Sequence, residues 1–239
     1  MKPVNLLAIS ASPRRNGNSM FLMEEALKVT EESVFPVKTE IISFSGKKIS
    51  PCISCLKCKK NGGDCIIRDD FQFIREAWLK ADCILYSLPV YVAGIPGQLK
   101  CFIDRLSNSE LDLFPIRGMR HMKPIGVITQ GGDFPGGQEF AMFDIMRHAA
   151  MASCFYTAPD GYFFGSGGWA GSGSTGTELK RKTEADAPEM RETLKTARST
   201  VKRIIEIAAM LNAGAEHYRS VLSTDPLYEH YYALLDQKD

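Results

Sequence analysis

Apolar residues fall along this chain in two rhythms. Residues 6–9 are apolar without a break, which predicts a strand buried on both faces of a parallel sheet. After a turn of small polar residues the rhythm changes. Phe21, Leu22, Ala26 and Leu27 recur at helical spacing, so a helix is expected from Asn18 or Ser19, with Glu24 and Glu25 in an early turn. The alternation then repeats. A second strand is expected within 34–44, on Val37, Ile41, Ile42 and Phe44. Asp69 and Asp70 are expected to cap a helix that carries Phe71, Ile74, Trp78 and Leu79 on one face. Residues 82–88 read as a third strand, and Pro96 opens a helix striped by Leu99, Phe102, Ile103 and Leu106. Residues 124–130 read as a fourth strand, followed by a helix over about 138–151. A fifth strand is expected at 154–164 and a long helix at about 187–212. Two stretches break the pattern: a cysteine-rich loop at 45–68, and a Gly/Ser/Thr-rich run at 165–177 that reads as a mobile linker or a lid.

Strands alternating with helices predict an α/β fold: a doubly wound, five-stranded parallel sheet of flavodoxin type, order 2-1-3-4-5. It is expected to span 1–212, with the cysteine loop (50–68) as an insertion and 213–239 as a helical tail. Such sheets bind ligands outside the carboxyl ends of their strands, at the topological switch point. Three loops belong there: 10–19, 89–94 and 129–137. In the first, a strand, a short polar turn and a helix start aim backbone N–H groups and a helix dipole at one point, which suits a phosphate. Ser10, Ser12 and Ser19 add hydroxyls, and Arg14 adds a charged donor fork. The turn lacks both the Walker pattern and the dinucleotide glycine pattern, and an ordinary strand–helix turn reads the same way locally. The other two loops offer backbone amides and Tyr91 to a flat ring. The three together point to a mononucleotide with an aromatic ring, and FMN fits.

Composition narrows the picture. Of the 239 residues, 44% are hydrophobic and 24% charged, which is ordinary for a globular protein. A net charge of +1 argues against nucleic acid or a membrane surface as partner. No apolar run is long enough to span a bilayer, and the start of the sequence shows no signal-peptide pattern, so a cytoplasmic protein is expected. Seven cysteines there argue for metal binding or chance rather than disulfides. Four of them, Cys52, Cys55, Cys58 and Cys65, are separated by two, two and six residues. Two short gaps let one loop wrap three thiolates round a cubane face, as in bacterial ferredoxins. The longer gap, with Gly62 and Gly63 in it, suits a return of the same loop to the same cluster. Zinc fits less well, because it usually takes two well-separated pairs. Cys83, Cys101 and Cys154 fall inside predicted elements and read as core thiols. Lys57, Lys59 and Lys60 read either as a docking patch for an acidic electron carrier or as solvated lysines that offset cluster charge. The four histidines show no ligand spacing.

A family resemblance rests on three motifs in this order: Ser-Ala-Ser-Pro-Arg-Arg-Asn-Gly-Asn-Ser at 10–19, Pro-Val-Tyr-Val-Ala-Gly-Ile-Pro-Gly-Gln-Leu-Lys at 89–100 followed by Asp104-Arg105, and Gln-Gly-Gly at 130–132. Over roughly 4–165 the chain resembles the NAD(P)H-dependent FMN reductase superfamily, and its cysteine run is similar to the compact motif of the iron-sulfur flavoprotein branch. The resemblance implies that Ser10, Ser12, Arg14, Asn16, Asn18 and Ser19 hold the phosphate and ribityl end of FMN. It implies that Pro89, Val90, Tyr91, Val92, Ala93 and Gly94, with Gln130, Gly131 and Gly132, line the isoalloxazine ring. It also implies an FMN oxidoreductase with a [4Fe-4S] cluster on Cys52, Cys55, Cys58 and Cys65, NAD(P)H as co-substrate, and a ferredoxin-like electron carrier as partner. Hydride chemistry belongs to the flavin, so no catalytic side chain is assigned. Two alternatives stay open: a cluster-free FMN or quinone reductase with a similar cysteine loop, and a non-catalytic electron carrier or redox sensor. The tail, with His217, Tyr218, Leu222, Tyr228, Tyr231 and Tyr232, reads as a clasp for a homodimer or homotetramer, or as packing on its own core.

Overall fold

The computed structural model describes residues 2–111, 120–133, 136–162, 164–171 and 175–237. Its elements run β1 (Val4–Ser10), α1 (Asn18–Leu27), β2 (Val37–Ser43), α2 (Phe71–Lys80), β3 (Cys83–Pro89), α3 (Gly97–Leu111), β4 (Pro124–Gly131) and α4 (Gln138–Met151). They continue with β5 (Phe155–Tyr156), β6 (Ser166–Trp169), α5 (Glu178–Glu184), α6 (Pro188–His217), α7 (Arg219–Leu222) and α8 (Glu229–Asp236). The strands are parallel and ordered β2-β1-β3-β4-β5, as expected.

Alternation within β1 explains both faces of the sheet. Leu7 and Ile9 join a core built with Phe71, Ile74 and Trp78 of α2, Leu99, Phe102 and Leu106 of α3, and Ile145 of α4. Leu6 and Ala8 point the other way, against Leu22 and Met23 of α1 and Val201, Ile204 and Ile205 of α6. A strand covered on both faces needs an unbroken apolar run, which is what 6–9 supplies. The approach of α6 to the sheet is close: a Cβ on Gly126 would stand 2.5 Å from the Thr200 methyl.

Four expectations are corrected. The fifth strand is not one run over 154–164 (residue 163 lies outside the described residues). Phe155–Tyr156 pairs with the start of β4, the chain leaves the sheet near Pro159 and Gly161, and β6 returns to pair with Ile128 to Gly131. Part of the run read as a linker is therefore a strand; residues 172–174 of it, and residues 134 and 135 of the turn at 131–137, lie outside the described residues. Its glycines serve packing, since a Cβ on Gly168 would stand 3.2 Å from side-chain methyls of both Leu22 and Leu179. Asp70 does not cap α2 with its side chain; its carboxylate accepts from the Lys48 amide at 2.8 Å, while Asp69 accepts from the Phe71 amide at 3.1 Å. The long helix continues through residue 212 to His217. Beyond it, Tyr231 and Tyr232 are buried with Ala215 and Leu235 against their own chain, beside Met122 at the start of β4. This end of the sheet is the one opposite the loops described next. Among the described residues no helix is long and apolar enough to cross a membrane.

Candidate functional site

The carboxyl ends of β1, β3 and β4 lie side by side, with Ser10 paired to Ser87 and Pro89 to Gln130. The loops leaving them enclose a cleft of about 150 Å³. Nine expected residues line it: Ser12, Arg14 and Asn18 from the first loop, Pro89, Val90 and Tyr91 from the second, and Gln130, Gly131 and Gly132 from the third. Gly17 and Gly176 complete the wall.

The end formed by the first loop has the chemistry of an anion site. Gly17 is the residue before α1, and no side chain among the described residues caps this helix start. No acidic side chain sits in that first turn, so the dipole of α1 favours an anion at this end. The Arg14 amide donates to the Ser12 hydroxyl at 3.1 Å, which fixes the turn. Gly176 closes over it: at φ +104° its position favours glycine, and a Cβ there would stand 3.2 Å from Arg14 Nη1. At the end of β1, the buried Ser10 hydroxyl has no hydrogen-bond partner among the described residues.

The remaining expected residues of this loop divide by task. Asn18 borders the cleft, but its amide is committed to α5, accepting from the Leu179 amide and donating to the Glu178 carboxylate, each at 3.2 Å. Ser19 is buried behind the wall; its hydroxyl accepts from Gln130 Nε2 at 3.3 Å and its carbonyl from the Ser87 hydroxyl at 2.7 Å. These bonds tie the first loop to β3 and β4. Asn16 is exposed and does not line the cleft.

The second loop is a two-residue hairpin. Tyr91 and Gly94 exchange both backbone hydrogen bonds, at 2.9 and 3.0 Å. Val92 and Ala93 between them have φ of +48° and +56°. A primed turn needs those angles, and Asn-Gly is the usual solution, so Val-Ala carries local strain of the kind that gathers at functional sites. The third loop holds it in place, since a Cβ on Gly137 would stand 2.5 Å from the Ala93 Cα. Val92, Ala93 and Gly94 form the tip and do not line the cleft; Ala93 borders a separate hollow with Phe140 and Phe143.

The cysteine loop leaves β2 and lies against α3. Both of its ends are fastened. Asp69 accepts from the Ser50 amide at 2.8 Å and from Arg105 Nη1 at 2.7 and 2.8 Å, while Arg105 also donates to the carbonyls of Ser50 (3.3 Å) and Ile67 (2.7 Å). Burial works against the Asp69 carboxylate, but hydrogen bonds from Ser50, Arg105 and Phe71 outweigh it and hold its pKa below the usual carboxylate value. Gln72 adds bonds to the carbonyls of Cys65 and Ile67, at 3.0 and 2.8 Å.

Between these anchors the backbone winds through left-handed positions at Ser54, Leu56, Gly62 and Gly63. Cys52, Cys55, Cys58 and Cys65 all line one cavity, whose far wall is Arg105 and Asn108 of α3. None of the four is in a disulfide among the described residues. The Cys52 sulfur accepts from the Ser54 amide at 3.4 Å and from Asn108 Nδ2 at 3.6 Å, and the Cys58 thiol donates to the Asn108 carbonyl at 3.5 Å. Among the described residues, no three His, Cys, Asp or Glu side chains converge to hold a single metal ion. Cys83 is fully buried, and Cys101 and Cys154 pack against the α2–α4 core, as expected of core thiols; burial pushes the Cys154 pKa up to about 12.

Sequence reading missed Gly17, Gly176, Arg105 and Asn108 as site residues. Gly176 sits in a run that looks like a linker, and Arg105 and Asn108 sit on a helix whose apolar stripe gives no sign of the loop it supports.

Residues 4–169 match the family described as NADPH-dependent FMN reductase. An iron-sulfur flavoprotein of Archaeoglobus fulgidus is 36% identical over 205 residues, 84% of this chain and 96% of that protein. Another from Methanocaldococcus jannaschii is 30% identical over 211 residues, 87% of this chain and 99% of that protein. Among solved structures, that of RosB with bound 8-demethyl-8-formylriboflavin-5'-phosphate superposes with a TM-score of 0.65 at 16% identity, covering 99% of this chain and 88% of that one, a likeness of fold. The matched residues contain the three loops that build the cleft, and on this ground the chain belongs to the NADPH-dependent FMN reductase family and is an FMN oxidoreductase.

Proposed function

We propose that this oxidoreductase is an iron-sulfur flavoprotein, which moves electrons between a reduced donor such as NAD(P)H, FMN in the cleft, and a [4Fe-4S] cluster on Cys52, Cys55, Cys58 and Cys65. The observation that carries the reading is that four thiols from one fastened loop line a single cavity. A mononuclear ion needs donors that converge on one point, whereas a cubane takes one thiolate at each of four corners, so its ligands stand around a cavity. The names of the relatives support the same reading.

FMN, when bound, supplies hydride acceptance and exchange of one or two electrons; the cluster supplies single-electron exchange. The chain binds and orients. Ser12 and Arg14, at the start of α1, hold the phosphate. Pro89 to Tyr91 and Gln130 to Gly132 present backbone to the ring. Lys57, Lys59 and Lys60, exposed beside the thiols, offer a surface to an acidic carrier of ferredoxin type.

Anaerobic purification with a visible spectrum and iron and sulfide analysis tests this. Replacing any one of Cys52, Cys55, Cys58 or Cys65 by Ala should abolish iron content and broad visible absorbance while FMN stays bound. The parent with stoichiometric FMN, but with no iron or sulfide after reconstitution, would leave a cluster-free reductase. Rapid flavin bleaching on stopped-flow mixing with NADH or NADPH is expected of a reductase; none would indicate a carrier.

A further inference from the structure

Arg105 is the largest charged side chain wholly inside this protein; its side chain is 0% exposed. Its Nη1 donates to Asp69 and to the Ser50 carbonyl, its Nη2 donates to the Ile67 carbonyl, and its guanidinium lies 4.1 Å from the Phe71 ring centre. Its Nε is buried without a hydrogen-bond partner among the described residues. A buried N–H of a charged group left unmade is costly, and such an atom calls for an acceptor. Arg105 lines the cysteine cavity, and so does Asn108, whose amide already donates to the Cys52 sulfur.

We propose that Arg105 is a positioning residue of the cysteine cavity. Its Nε–H, with the Asn108 amide, donates to the sulfurs of a bound [4Fe-4S] unit, and these hydrogen bonds make that unit easier to reduce. This rests on the cluster reading above. Four thiolates give the centre a net negative charge that grows by one on reduction. N–H donors held against it therefore favour the reduced form. Arg105 cannot move away to be screened, because Asp69, two carbonyls and Phe71 fix its plane. The terminal nitrogens of the guanidinium close the loop, and Arg105 also lines the cavity within it.

The test uses the full chain, reconstituted anaerobically, and redox titration followed by EPR. Arg105→Lys keeps a cation but has no Nε–H and no fork. Asn108→Ala removes the second donor. Both variants should carry the parent's iron and sulfide. In Arg105→Lys the one-electron reduction equilibrium should shift against reduction about tenfold, about 59 mV. Asn108→Ala should shift it the same way by less, and the FMN potential should stay put in both. Because Arg105→Lys also disturbs the buried pair with Asp69, a second measurement leaves the chain intact. Pulsed EPR of the reduced parent grown on ¹⁵N-arginine should show coupling to an arginine nitrogen, retained in Arg68→Lys. Parent-like potential in loaded Arg105→Lys, or no ¹⁵N coupling in the parent, would make Arg105 a staple of the loop and nothing more. A parent that binds FMN but no iron would remove the cluster reading and this inference together. An iron-loaded parent with unshifted variants would remove this inference alone.

Discussion

Arg14 occupies a turn floored by the start of α1 and roofed by Gly176, so its charge is set against whatever enters that end of the cleft. Arg14→Ala should weaken FMN binding roughly ten- to hundredfold, since a charge-assisted hydrogen bond is worth about 1.5–3 kcal/mol. A dialysis titration in which the variant retains FMN as the parent does would reject the assignment. His148 shows a single residue acting on stability instead. It is 3% exposed, and its Nε2 lies 3.2 Å from the Tyr86 hydroxyl, which also accepts from Trp78 Nε1 at 3.0 Å. Burial lowers its pKa to about 4. His121, 4.9 Å from the Trp78 ring between ring centres, is held well below the usual value by burial and then by Lys123, His230, His148 and Arg75. Both stay neutral in the folded chain, whereas in the unfolded chain they take up a proton near pH 6.5. Their contribution is therefore complete above about pH 6.5 and is lost as pH falls, by about 1.4 kcal/mol per unit for each group. His148→Gln should flatten that loss between about pH 6.5 and pH 4.5 in urea midpoints. Equal slopes for parent and variant would show that His148 is not the titrating group.

Among the elements, β6 is the one whose composition misleads. A run of Gly, Ser and Thr reads as a linker, yet at Gly168 the side-chain space is filled by Leu22 and Leu179. Gly168→Ala should cost about 1–3 kcal/mol in chemical unfolding through overpacking, whereas a linker glycine would tolerate the change. This marks where sequence reading stops. β1, β3 and β4 were legible as unbroken apolar runs, because both their faces are buried, and the helices over them because each buries one face at helical spacing. The fifth strand was not, because Pro159 and Gly161 interrupt it and its continuation is recognisable only once β4 stands beside it. The cleft divides in the same way. Ser12, Arg14, Tyr91 and Gln130 were readable from turns that the topology carries to one edge. Gly176, Arg105 and Asn108 were not, since their work lies in contacts with residues tens to more than a hundred positions away. Asn18 was assigned to the ligand by the resemblance of its motif, and its side-chain amide also secures α5.

For the molecule as a whole, the tail adds a small core of its own at the edge of the sheet away from the cleft. Tyr232 is 5% exposed, its hydroxyl donates to the Ala215 carbonyl at 2.9 Å, and Arg219 lies 4.6 Å from its ring centre while pairing with Asp236. Tyr232→Phe removes that one hydrogen bond. It should lower stability by about 0.5–1.5 kcal/mol in thermal unfolding and leave FMN affinity unchanged. A change in FMN affinity would mean that the tail and the cleft communicate. The cysteine loop has the opposite relation to the fold, and it follows from where the loop is fastened. Ser50 at one end and Ile67 at the other meet on Arg105 and Asp69, inside the domain core. Bringing together the ends of a segment this long costs about 2–3 kcal/mol of chain entropy, and here the folded domain meets that cost before any metal arrives. In small metal-nucleated domains, by contrast, the binding energy is the folding energy and a chelator denatures the protein. With the cluster proposed above, metal loading and folding would be nearly uncoupled. The loop would be a socket emptied and refilled on a folded chain, and iron limitation would silence the centre without committing the protein to degradation.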